Sequence, residues 1–147
     1  MRRTSSAVVA LSLLLVAGCA GPVRTDAGYR EKANQSALHL LSAARTGVAL
    51  ADIARKGDAF TPYLETSVGD VEDDALAVRS SFATLQPPTP VSDPLRARVD
   101  ALAEHTTHGL AHLRIGVRRG DMDAVARARA ALLLTGDRLD RVVEGTR

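Results

Sequence analysis

The chain has 147 residues, 46% of them hydrophobic, with 19 Lys and Arg, 17 Asp and Glu, and a single cysteine. Arg2 and Arg3 carry the whole positive excess; without them 17 basic residues face 17 acidic ones, which excludes a strongly basic nucleic-acid binder and a polybasic membrane patch. One cysteine excludes an internal disulfide, and no Trp, two Tyr and two Phe leave little material for stacking platforms.

The N-terminus opens on Arg2 and Arg3, followed by an apolar run of 11 residues from Ala7 to Ala17. That run is too short for a spanning helix, which needs roughly 20 apolar residues, and suits a secretion signal. Small residues lead into the lone cysteine, and Val16-Ala17-Gly18-Cys19 resembles the lipobox of bacterial lipoproteins. Val stands in the place more often held by Leu. The resemblance implies that Val16, Ala17 and Gly18 are read by signal peptidase II, that residues 1–18 are removed, and that the Cys19 thiol carries diacylglycerol. Two acyl chains, at about 0.8 kcal/mol per buried methylene, anchor stably. The implied location is the extracytoplasmic face of the cell membrane. It is reached through a lipid anchor, on a thiol-free chain of zero net side-chain charge. Arg outnumbers Lys by 17 to 2, which suits a GC-rich bacterial genome.

Residues 19–27 read as a polar tether with Gly21 and Pro22, and residues 28–147 as one helical domain. Ala33, Ala37, Leu40, Leu41, Ala44, Gly47, Val48, Ala51 and Ala54 recur at three- and four-residue steps. They predict an amphipathic helix from about Ala27 to Lys56, closed by Gly57. Thr61-Pro62 reads as an N-cap followed by a first-turn proline. Leu64, Val68, Val71, Ala75, Val78, Phe82 and Leu85 then form the most regular heptad seam of the chain. Gly69 is a point where this helix can kink, and Pro87, Pro88 and Pro90 end it. Asp93-Pro94, again a cap plus a first-turn proline, starts a third helix with Leu95, Val99, Leu102, Thr106, Gly109, Leu110, Leu113 and Val117 inward. Gly120 ends that helix and Asp121 caps the next, giving a tight hairpin. The fourth helix turns Val125, Ala128, Leu132, Thr135, Leu139 and Val142 inward and frays near Gly145. The expected fold class is all-α, an up-down-up-down four-helix bundle. The second helix is acidic and its neighbours basic, so ion pairs are expected on both of its sides.

One constellation carries possible chemistry. His105, His108 and His112 fall within about 60° of each other on a helix, and Asp100, Glu104, His108 and His112 step by four. Imidazoles and carboxylates at such spacing can share a divalent metal, and with His39 on the first helix all four histidines could converge. The stripe lies about 120° from the apolar seam, so it flanks the core. Neither the paired Glu-x-x-His of di-iron bundles nor a His-Glu-x-x-His zinc motif is present. A solvated helix face is therefore the expected role, with metal binding or pH sensing as the functional alternatives. Gly109, Gly116, Ala37, Ala44, Gly47 and Ala51 predict close helix approach, or else an apolar cavity for a small ligand.

No catalytic motif stands out. The sequence reads as a lipid-anchored, extracytoplasmic, non-catalytic interaction or accessory module of the cell envelope, working beside an envelope protein partner. It takes no cofactor beyond the diacylglycerol on Cys19. The alternative is a small-ligand or metal-binding lipoprotein using the histidine stripe or a bundle cavity.

Overall fold

A computed structural model describes residues 23–147. The signal, Val16, Ala17, Gly18, Cys19 and tether residues 19–22 lie outside the described residues. Among those described there are four α-helices and no strand: α1 (Asp26–Lys56), α2 (Thr61–Ala83), α3 (Asp93–Arg119) and α4 (Met122–Thr146), with a short 3-10 turn at Pro90–Ser92. The expected all-α class is the observed one, and the helices gather into a four-helix bundle around a single apolar core.

Local chemistry sets the boundaries. The Thr25 hydroxyl accepts from the Gly28 N–H at 3.1 Å, satisfying one of the free donors of the first turn. This cap draws residues 26 and 27 out of the tether and into α1. Gly57 (φ 72) and Gly120 (φ 64) close α1 and α3 in the left-handed conformation that costs glycine least. Asp121 then does two jobs. Its N–H donates to the Gly116 carbonyl at 3.0 Å, and its carboxylate accepts from the Ala124 N–H at 2.8 Å. That leaves no loop between α3 and α4 beyond these two residues.

Three boundary expectations need correction. Thr61 lies inside α2, with Phe60 in the cap position and no side-chain cap. Asp93 is likewise the first residue inside α3 rather than its cap. The 3-10 turn runs straight into the helix, and the Ser92 hydroxyl is spent elsewhere, donating to Asp26 at 2.6 Å. Finally, α4 continues through Gly145 to Thr146. Asn34 pins that end, donating from Nδ2 to the Val143 carbonyl at 3.1 Å and to the Thr146 hydroxyl at 2.7 Å. α2 runs unbroken through Gly69.

α1 and α3 form the diagonal of the bundle. α1 packs against all three other helices, as α3 does, whereas α2 and α4 do not touch. It is also the one described helix long and apolar enough to cross a membrane by length and composition, but its stripe from Tyr29 to Ala51 is buried against its neighbours, as befits a core helix. Small residues allow this diagonal packing. A Cβ on Gly47 would lie 2.7 Å from a Leu110 methyl and 2.9 Å from a Leu132 methyl, and one on Gly109 would lie 2.8 Å from Leu132. The side chain of Leu132 thus fills the space that glycines on α1 and α3 leave open. Of the two sequence expectations for these small residues, close approach is what the helices do at this level.

Cross-helix pairs run in opposite sequence order. Asn34 meets Val143, Arg45 meets Asp140 and Asp52 meets Arg129 across α1 and α4. Glu72 meets Arg114 and Arg79 meets Glu104 across α2 and α3. The expectation of ion pairs on both sides of α2 holds on one side only. Among the described residues none joins α2 to α1, where Arg45 pairs instead with Asp140 of α4 and Arg55 with Asp52 of its own helix.

Candidate functional site

A surface groove of about 580 Å³ lies between α3 and α4. One wall is the histidine stripe, His105, His108 and His112, all exposed. The other wall holds Arg127 and Arg138. Between them run Gly109, Ala124, Ala128, Ala131, Leu134 and Thr135. Leu134 is a large apolar side chain left 52% exposed. No carboxylate lines the groove.

The groove exists because two stripes face each other. Histidines at i, i+3 and i+7 follow the edge of the α3 seam. On α4, Arg127, Ala131, Leu134 and Arg138 step by four, three and four, beside the buried Ala128, Leu132 and Thr135. The α3–α4 hairpin brings the edges together, and small side chains at Ala124, Ala128 and Ala131 keep the floor open. Thr135 is buried, and its hydroxyl donates to the Ala131 carbonyl at 2.9 Å, so the floor offers no unpartnered hydroxyl there.

The four histidines do not converge. His39 lies in a separate groove of about 400 Å³ between α1 and α2, beside Val71, Asp74, Ala75 and Val78. The carboxylates that the spacing places next to the stripe face arginines: Asp100 pairs with Arg96 at 3.5 Å and Glu104 with Arg79 at 4.0 Å. Among the described residues no three His, Cys, Asp or Glu side chains are gathered so as to hold a metal ion. His105, His108 and His112 are brought together as a wall, not as a ligand cage.

Sequence reasoning missed Arg127 and Arg138. Neither forms an ion pair among the described residues, whereas six other arginines do. Two of those pairs are forked and half-buried. Arg114 donates to Glu72 from Nε at 2.7 Å and from its terminal nitrogen at 3.4 Å, and this bond and charge raise the Arg114 pKa further. Arg129 donates to Asp52 at 2.7 and 3.0 Å. That hydrogen bond is the main reason the Asp52 carboxyl titrates below the usual carboxylate range, and it raises the Arg129 pKa. The signal for the two unpaired arginines was present as the second stripe on α4, but it had no meaning until α3 lay beside it.

No protein-family model, curated protein or solved structure matches the chain.

Proposed function

We propose that the chain is a lipid-anchored, extracytoplasmic, up-down-up-down four-helix bundle acting as a non-catalytic interaction module of the cell envelope. The opposed order of the cross-helix pairs supports the topology. Anchoring rests on the lipobox-like Val16-Ala17-Gly18-Cys19. Only five residues separate Cys19 from the Thr25 cap, and Val23 already packs against the core. The anchor would therefore hold the α1 N-terminus close to the bilayer.

The interaction reading rests on where four scarce aromatics go. Tyr29 and Phe82 are buried together, ring centroids 6.0 Å apart. Phe60 and Tyr63 are left 85% and 63% exposed, just beyond the far end of α1. A helix of this length, 31 residues, spans about 46 Å at 1.5 Å per residue. The two exposed rings thus stand well away from the anchored end, where they suit a partner surface; aromatic anchors dominate such contacts.

Labelling cells with a palmitate analogue tests the anchor. The chain should incorporate the label and fractionate with membranes, and Cys19→Ala should abolish both. Label retained by Cys19→Ala would defeat the reading. In-cell photo-crosslinking from position 63 tests the partner. A discrete protein adduct should form, and Phe60→Ala should weaken it while lipidation is unchanged.

A further inference from the structure

We propose that the α3–α4 groove is a binding site for a small anionic amphiphile, a carboxylate, sulfate or phosphate on an apolar body. This goes beyond the anchored-module reading and depends on the folded hairpin alone, so it stands or falls separately from Cys19.

Three observations meet in one place. First, the groove has only positive or neutral polar walls. The titratable and charged groups that line it are His105, His108 and His112 on α3 and Arg127 and Arg138 on α4. In a chain otherwise balanced in charge, this is a local excess of one sign with no carboxylate among it. Second, Arg127 and Arg138, like several other surface arginines, form no ion pair among the described residues, which leaves their donors free. A guanidinium fork with free donors is suited to a planar or tetrahedral oxyanion. Third, the floor is apolar, with Ala128 buried, Ala131 exposed beside it and Leu134 half out of the fold. A hard divalent cation finds no carboxylate on such a wall, and a purely polar anion gains nothing from such a floor. An anion with an apolar body uses both.

Size and position narrow the class. A volume of about 580 Å³ falls in the range of small-molecule sites, roughly 300–1,000 Å³. Arg127 and Arg138 are eleven positions apart on α4, about 16 Å along the axis, so one acid group meets one arginine while its apolar body runs toward the other. The groove starts at His105, twelve residues into α3. The α3 N-terminus lies at the end where Ser92 meets Asp26, so the groove begins about 18 Å from that end. This favours a monomeric ligand over the headgroups of the anchoring bilayer.

The test uses the full lipidated chain in nanodiscs of neutral phosphatidylcholine, with empty nanodiscs as reference. Octyl sulfate, octanol and octylamine are titrated by calorimetry and by the imidazole signals of the three histidines. Octyl sulfate should bind best and shift all three imidazoles, with octylamine the weakest. Arg127→Gln with Arg138→Gln should weaken octyl sulfate about 10-fold or more, the worth of a charge-assisted hydrogen bond, and leave octanol nearly unchanged. Both arginines are exposed and unpaired, so the fold is retained. As a second variant, Ala131→Phe fills the floor and should weaken octanol and octyl sulfate alike. Equal binding of the three probes, or octyl sulfate binding unmoved by either variant, would overturn the proposal. So would a gain of the imidazole shifts only when the nanodisc itself is made anionic, which would mark the face as a headgroup contact.

Discussion

At the scale of single residues, Tyr29 has the most unusual setting. Its ring is fully buried against Phe82, yet its hydroxyl has no hydrogen-bond partner. Leaving such a group unsatisfied costs about 1–3 kcal/mol, whereas removing it from an apolar site is neutral or favourable. Tyr29→Phe is therefore expected to raise stability by about 1 kcal/mol, read as a higher thermal midpoint by circular dichroism. Burial also pushes the phenol pKa up, with the nearby Arg96 opposing that shift. The folded chain then keeps a proton that the unfolded chain releases near pH 10, and folding stability falls as pH rises through that value. Tyr29→Phe abolishes this alkaline loss, so the gap between the two chains should widen above about pH 10. A Tyr29→Phe chain less stable at all pH values would show that the hydroxyl does find a partner. Tyr29 was legible as a core residue in principle, because it stands four before Ala33 and continues the α1 stripe. Its hydroxyl argues for a place at the surface, and no local rule reveals that Phe82 waits across the fold.

At the scale of the helix, the inward faces followed from periodicity and the ends less well. All six predicted inward positions of α4 are buried. The heptad of α2 was the most regular, yet Val71 and Val78 are only half-buried. The reason is placement: both valines line the open groove between α1 and α2 beside His39. The cap at Asp93 slipped by one residue, and the Ser92 hydroxyl before it bonds Asp26, 66 positions away; α2 likewise begins at Thr61 itself, behind Phe60 with no side-chain cap. Glycines on two helices should show how packing overrides propensity. A Cβ at Gly69 meets only an Arg114 methylene at 3.8 Å, an ordinary contact. Gly69→Ala should therefore gain the helix-propensity difference, about 1 kcal/mol. Gly47→Ala has the same intrinsic gain but drives a methyl against Leu110 and Leu132, and overpacking of that kind costs about 1–3 kcal/mol. Denaturant unfolding should move the midpoint up for the first and down for the second, with the slope unchanged. A Gly47→Ala chain as stable as Gly69→Ala would mean that Leu132 is free to move aside.

At the scale of the molecule, the first and last helices close the fold. Asn34 holds the end of α4, and Arg45–Asp140 and Arg129–Asp52 follow down the same seam. The sequence reading looked for charge pairing around the acidic α2 because the charges there are dense. The α1–α4 pairs were invisible to it, since each joins isolated residues 77 or more positions apart. The groove was hidden for a related reason, its walls being two unremarkable stripes until the α3–α4 hairpin sets them face to face. Closure by Asp52 has a definite pH signature. Its hydrogen bond to Arg129 lowers its pKa in the folded chain, so the folded state binds fewer protons than the unfolded one in the acid range. The contribution is fully present above the ordinary aspartate value of about 3.9 and is lost as pH falls through the lowered one. An Asp52→Asn chain should accordingly be less stable than the parent above about pH 5. The difference should shrink through the acid range and vanish once Asp52 is protonated in both states. Because the pair is a third exposed, added salt should also narrow the gap at neutral pH. Urea unfolding of both chains across the acid range reads this directly. A gap that stays constant down to about pH 2 would assign the role of Asp52 to its shape and not to its charge.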